Sequence, residues 1–158
     1  MFDLIQIYKA DLSSSLVINE LTGTLKYPVR RFIWGQPTRG DDLPKLQQAG
    51  QHDRYKNVDA MPVMMEGDLL GADTDAYWVN RKALLEIVVP DETQTLRYHS
   101  QIRIKLNGDS ETYWCNVTLE DYDAPLEAFF PTRTPFIFQW KNPYGYWRKL
   151  SNNAAVKI

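Results

Sequence analysis

The sequence predicts a mainly β fold: an antiparallel β-sandwich or split barrel, one α-helix packed on the sheet, and a long extended loop or arm. Three observations predict it. Short stretches alternate apolar and polar residues at the period of two that half-buried strands require, as at Ile102, Ile104 and Leu106 and at Phe136, Phe138 and Trp140. Turn-forming residues separate these stretches, as in Asn107-Gly108-Asp109 and Asn142-Pro143-Tyr144-Gly145. Only one segment, between Asp73 and Pro90, combines helical periodicity with a start and a stop signal.

Phe2 to Tyr8 mixes β-branched and aromatic residues and reads as the first strand, with Leu16 to Ile18 as its hairpin partner and Thr22-Gly23-Thr24 as a later turn. Tyr27 to Trp34 reads as another strand, apolar except for Arg30 and Arg31. The stretch from Gly35 to Lys56 is polar, holds two prolines and three glycines, and shows no period. Structureless connections of that length inside a compact domain are usually functional or disordered, so residues 35–57 are expected to form a loop or arm. Such a segment has too few apolar residues to fold on itself. Val58 to Leu70 resumes the strand pattern, with Met61, Val63 and Met65 on one face and Met64 and Leu69 on the other. Gly67 inside this run suggests a bulge or a close backbone approach.

The helix is expected from about Ala76 to Val88, within residues 75–89. Asp73-Thr74-Asp75 offers N-cap candidates, and Pro90 forbids continuation. Tyr77, Arg81, Leu84, Leu85 and Val88 fall along one face with Trp78 beside them, while Asn80, Lys82 and Glu86 occupy the other. The second half is strand and turn. Leu96 to Leu106 leads through Asn107-Gly108-Asp109 into Thr112 to Leu119, where Tyr113, Cys115, Val117 and Leu119 share one side. Phe136 to Trp140 and a short strand from Tyr146 to Leu150 follow. Residues 1–150 thus form one domain of about seven to nine strands, and 151–158 is expected to be a loose or partner-bound tail.

Composition narrows the function classes. The 158 residues are 44% hydrophobic and 24% charged, ordinary for a globular chain, whereas the aromatic share of 13% is high. Trp and Tyr suit sheet surfaces and subunit interfaces, where one end is dry and the other wet. Eighteen basic against twenty acidic residues give a net charge of −2, which argues against a dedicated nucleic-acid binder. The single cysteine, Cys115, excludes an intrachain disulfide and reads as a buried apolar thiol. The opening MFDLIQIYKADL lacks the basic start and apolar core of a signal peptide, and no run approaches a membrane span, so synthesis in the cytoplasm without membrane insertion is expected.

Chemistry-bearing motifs do not emerge. The two histidines, His52 and His99, lie in different elements without ligand-spaced neighbours. Asp41-Asp42 lacks the further oxygen ligands of a calcium loop, and Asp73/Asp75 is explained by helix capping. Ser13-Ser14-Ser15 has no nucleophile-elbow glycines, Cys115 has no visible base, and Gly35, Gly40 and Gly50 are too far apart to cradle a phosphate. No cofactor, metal or catalytic residue is therefore expected. One aromatic set, Trp34, Trp114, Trp140, Tyr144, Tyr146 and Trp147, could form a sugar platform, although aromatics alternating on strands more often serve core or interface.

Three segments resemble, in order, the N-terminal domain of the distal tail proteins of long-tailed bacteriophages and the related actinophage minor tail proteins. Arg39-Gly40-Asp41-Asp42 through Ala49-Gly50-Gln51 is similar to the family's loop rich in Arg-Gly and Asp, with Leu46-Gln47-Gln48 and Gln51 standing where basic residues are usual. It leads into Met61-Pro-Val-Met-Met-Glu-Gly-Asp-Leu-Leu-Gly71, similar to an apolar strand that ends in a Glu-Gly and Gly pattern. The second segment is the helix around Trp78 to Leu85 with its end at Val89-Pro90. The third, Phe136-Ile-Phe-Gln-Trp-Lys-Asn-Pro-Tyr-Gly-Tyr-Trp147, resembles the closing strand and its proline-aromatic turn. The resemblance spans about residues 27–150 and leaves no room for the carbohydrate-binding-like C-terminal domain of longer members.

The resemblance implies a virion structural protein: a hexameric ring in the baseplate or tail tip that joins tail tube protein to hub protein, with DNA only in transit through its channel. Arg39, Gly40, Asp41, Asp42 and Gly50 are then candidate inter-subunit arm residues. A channel wall that does not bind phosphate should carry more acid than base, and six copies at −2 sum to about −12. Asp109 and Glu111 are the candidate channel-facing residues. A tail tube or terminator ring subunit is the nearest alternative, a carbohydrate-binding receptor-recognition module the alternative from another class, and a hydrolase comes last.

Overall fold

The computed structural model describes residues 2–19, 25–34, 60–90, 98–125 and 132–156. Along them run β1 (Phe2–Lys9), β2 (Ser15–Ile18), β3 (Val29–Trp34), β4 (Met61–Leu70), α1 (Thr74–Val88), β5 (Ser100–Leu106), β6 (Thr112–Asp123), β7 (Arg133–Asn142), β8 (Trp147–Lys149) and β9 (Ala155–Val156). All pairings are antiparallel, and the main sheet has the order β2-β1-β5-β6-β7-β4-β3. The mainly β, antiparallel fold is the predicted one, and among the described residues a single helix packs on the sheet; the expected arm, 35–57, lies outside those residues.

The longest strand turns the sheet. The first half of β6 pairs with β5, from Thr112 opposite Lys105 to Val117 opposite Ser100. Its second half pairs with β7, and the register shifts between Leu119 and Asp121. Such an irregularity bends a strand and increases its twist. The two ends of the sheet then approach each other. Phe2 of β1 packs edge-on against Phe32 and Trp34 of β3 at 5.3 and 4.8 Å between centroids, and the Asn19 N–H after β2 donates to the Tyr27 carbonyl at 3.0 Å.

Alternation along the strands fills the space between the walls. Ile5, Ile7, Ile18, Ile102, Ile104, Cys115 and Val117 come from one side, and Met61, Val63, Met65, Leu69, Phe136, Phe138 and Trp140 from the other; all are buried. The predicted facing of β4 needs one correction. Its register with β7 is unbroken from Met61 to Leu70, so Leu69 shares the face of Met61, Val63 and Met65. Gly67 makes the expected close approach: a Cβ there would lie 2.5 Å from the Pro28 carbonyl oxygen and 2.6 Å from the Phe136 ring. The β3–β4 register shifts at the same place, between Val29 and Arg31.

The helix lies against β1, β2 and β4. Asp73 caps it by accepting a hydrogen bond from the Ala76 N–H at 2.8 Å, and the chain leaves helical geometry at Val89, before Pro90. Tyr77, Leu84, Ile87 and Val88 are buried, Leu85 packs at the margin of the core, and Trp78 is half exposed. Asn80, expected on the polar face, is buried instead. Its Nδ2 donates to the Leu70 carbonyl at 2.8 Å and its own carbonyl accepts from the Tyr27 hydroxyl at 2.9 Å, so two satisfied polar contacts replace the solvent that an amide would otherwise need. The Tyr77 and Thr134 hydroxyls share a 2.8 Å bond, and the Ser100 hydroxyl donates to the Ile87 carbonyl. The tail also departs from expectation: β9 pairs with β8, Val156 opposite Trp147.

Two outcomes follow. Leu84→Ala should lower the free energy of unfolding by about 2–5 kcal/mol in a urea titration, with a smaller loss for the marginal Leu85→Ala; a loss under about 1 kcal/mol at Leu84 would contradict the packing of α1. Tyr27 is buried, and burial pushes its hydroxyl from 10.0 up to about 12. Its pKa is raised on folding, so its contribution is intact below pH 10 and lost as pH climbs from about 10 to about 12, a change of about 2–3 kcal/mol. Stability measured across that interval should fall, and Tyr27→Phe should flatten the fall; equal slopes in both proteins would contradict the assignment.

Candidate functional site

The predicted site residues fall into two groups. Arg39, Gly40, Asp41, Asp42 and Gly50 lie outside the described residues, as does His52. Asp109 and Glu111 lie together after the β5–β6 turn, where Gly108 takes the positive φ of 82° that the turn needs. Both carboxylates hold this corner. Asp109 accepts from the Tyr113 hydroxyl at 2.7 Å and the Glu111 N–H at 2.9 Å. Glu111 accepts from the Ser151 hydroxyl and, at 3.2 Å, from the Thr112 N–H, tying the segment after β8 to the hairpin. The Tyr113 hydroxyl, followed by the Glu111 N–H, holds Asp109 below the usual carboxylate range, and the Ser151 hydroxyl does the same for Glu111.

The remaining chemistry-bearing side chains have structural partners. His99 Nδ1 accepts from the Leu119 N–H at 3.1 Å, Asp73 caps α1, and Ser13 donates to Asp11 within a tight turn. Burial pushes the Cys115 thiol well above its ordinary value, which removes the thiolate that nucleophilic attack requires. Among the described residues there is no group of three or more His, Cys, Asp or Glu that could hold a metal ion, and no helix long and apolar enough to cross a membrane.

The aromatic set divides three ways. Trp140 and Trp147 are core, each 1% exposed, and Trp34 belongs to the cluster with Phe2 and Phe32. Trp114, Tyr144 and Tyr146 come together in a cleft of about 230 Å³, lined also by Cys115, Asn116, Arg148 and Asn153. The cleft is a product of strand pairing. Both β7 and β8 pair with β6, Lys141 opposite Thr118 and Arg148 opposite Trp114. Seven steps of chain from Lys141 to Arg148 are thereby set against four steps of β6, so the connection must loop out.

A fully buried asparagine fixes that loop. Asn142 Nδ2 donates to the Tyr146 carbonyl and its Oδ1 accepts from the Tyr144 N–H, each at 2.9 Å, while Gly145 adopts φ 64°. Tyr144 and Tyr146 are thus held from beneath, with ring centroids 6.2 Å apart. Arg148 donates to the Tyr146 hydroxyl at 2.7 Å and to the Asn153 carbonyl at 3.0 Å, and its guanidinium lies 4.9 Å from the Tyr146 ring centre and 6.0 Å from that of Trp114. Asn116 is oriented too, because its Oδ1 accepts from Gln101 at 3.3 Å. Sequence reading found the three aromatics and missed Asn116, Asn142, Arg148 and Asn153. Their one local signal was the Asn-Pro-Tyr-Gly turn; the detour itself depends on which strand β7 and β8 share.

The sheet edges form the other candidate surface. Among the described residues β3 is paired only with β4, and β2 only with β1. Arg30 and Arg31 on β3 are exposed and reach Asp68 at 3.7 Å and Glu66 at 3.8 Å. Charged side chains on an edge discourage indiscriminate strand addition. The edge strand has a further property. Trp34 pairs with Val63, so β3 and β4 are hairpin neighbours, yet residues 35–60 separate them. No family model matches the chain, and no curated protein matches it.

Proposed function

We propose that this chain is a non-enzymatic virion protein of a bacteriophage tail, a subunit of a ring, hexameric by resemblance, that joins tail tube to hub around the DNA exit channel. One observation carries the proposal. Antiparallel neighbours such as β3 and β4 need a loop of only about two to five residues. The polar insertion between them is far longer than the pairing requires, and it leaves from an edge strand. That is where a ring subunit would place an arm that reaches the next copy, and Arg39, Gly40, Asp41, Asp42 and Gly50 all fall within it.

The fold supports the same reading. Among the described residues the sheet ends at β2 and β3, two short edges that a neighbour could complete. Asp109 and Glu111 remain the proposed inward-facing acids. Both are carboxylates, negative at neutral pH, as a wall that must repel phosphate requires. Assembly in the host cytoplasm and incorporation into the virion belong to the proposal, as do the tube and hub proteins as partners.

Replacing residues 37–58 by a short Asn-Gly turn tests the arm. The shortened chain should keep the thermal transition and tryptophan fluorescence of the parent and lose its oligomers in analytical ultracentrifugation. Unchanged oligomers in a folded, shortened chain would overturn the assignment.

A further inference from the structure

We propose that the cleft between β6 and the β7–β8 connection binds an acidic saccharide unit, one pyranose ring bearing a carboxylate. The inference does not rest on the ring reading. Its first ground is the placing of donors. Among the described residues Arg148 is the only charged one lining the cleft, and none of the ion pairs among them involves it. Its two hydrogen-bond acceptors, the Tyr146 hydroxyl and the Asn153 carbonyl, are neutral and use only part of the guanidinium's donor fork. A guanidinium held in place by neutral partners is prepared for a planar carboxylate. Beside it, Asn116 has committed its amide oxygen to Gln101, which leaves the amide nitrogen as the group it offers. Both polar contributions therefore favour an acceptor-rich ligand.

The second ground is shape. Trp114, Tyr144 and Tyr146 supply aromatic surface around these donors, and Tyr144 is 43% exposed although its backbone is pinned by buried Asn142. Exposed aromatic faces of this kind accept the C–H face of a sugar ring, while donors at the rim take its oxygens. The volume of about 230 Å³ lies below the roughly 300–1,000 Å³ of clefts for drug-sized molecules, so it suits one ring of a longer chain. A nucleic acid fits less well: tracking phosphates takes a basic groove, and this cleft has one cation. The site is preformed, because Asn142, Gly145 and the Arg148–Asn153 contact fix it without a ligand.

The test is a titration of the ¹⁵N-labelled full chain with methyl β-D-glucuronide, methyl β-D-glucoside and acetate, followed by NMR. The indole N–H of Trp114 is assigned by its loss in Trp114→Phe. The glucuronide should give saturable shifts centred on Trp114, Asn116 and Tyr146, with a Kd of about 1 mM for so small a ligand. The glucoside and acetate should each bind at least about tenfold more weakly, and Arg148→Gln should cost the glucuronide about tenfold or more. Tyr144→Ala, at an exposed position, should weaken it while leaving the rest of the spectrum unchanged. No localised shift with the glucuronide would overturn the proposal. Glucuronide binding that is matched by acetate or the glucoside, or that is unaltered in Arg148→Gln, would overturn it equally.

Discussion

The structure depends on one strand, β6, that passes from one wall of the sheet to the other. A single flat sheet of these strands would bury only one face, and the apolar alternation of β4, β5, β6 and β7 would have nothing opposite it. By pairing with β5 along its first half and β7 along its second, with the register step between, β6 brings two walls face to face. Closure then rests on contacts between the sheet's ends: Phe2 with Phe32 and Trp34, and Asn19 with Tyr27. The helix lies over β1, β2 and β4, anchored through Tyr27, Tyr77 and Asn80 as well as by its apolar face.

The same strand creates the cleft. Because β7 and β8 both lie beside β6 but are out of step along it, the chain between them cannot continue as a ladder. Asn142 turns that excess into an ordered loop, and the aromatic and polar side chains there face outward as a group. The surface feature and the core are thus two consequences of one pairing scheme. The side chains of Trp114 and Asn116 line the cleft while those of Cys115 between them and Val117 beyond are buried in the core, so the period of two supplies both surfaces, with Cys115 also at the cleft floor.

What could be read from the sequence was local. The alternation of Phe136, Phe138 and Trp140, the Asn107-Gly108 turn and the Asp73 cap each depend on neighbours a few residues away, and all appear where expected. What escaped was long-range. Asn80 looks like a surface residue until Tyr27 and Leu70 are beside it, and the face of Leu69 is settled only by the unbroken register of β4 with β7. The β8–β9 pair in the tail is too short to give a periodic signal. Among site residues, the aromatics of the cleft were legible as a set but not separable from Trp140 and Trp147, whose burial is fixed by the fold. Asp109 and Glu111 were picked for charge, and the structure gives them a second role, fastening the hairpin to the segment around Ser151.

The proposed ring subunit would meet copies of itself through the edge strand β3 and the over-long connection that follows it, and that is the proposal's central claim. Electron microscopy of the purified chain, alone and mixed with the tail tube protein that the proposal gives it as a partner, measures it directly. The account predicts closed rings of uniform diameter, sixfold on averaging, with a central opening. Particles that stay monomeric under both conditions, at concentrations where the fold is intact, would contradict it.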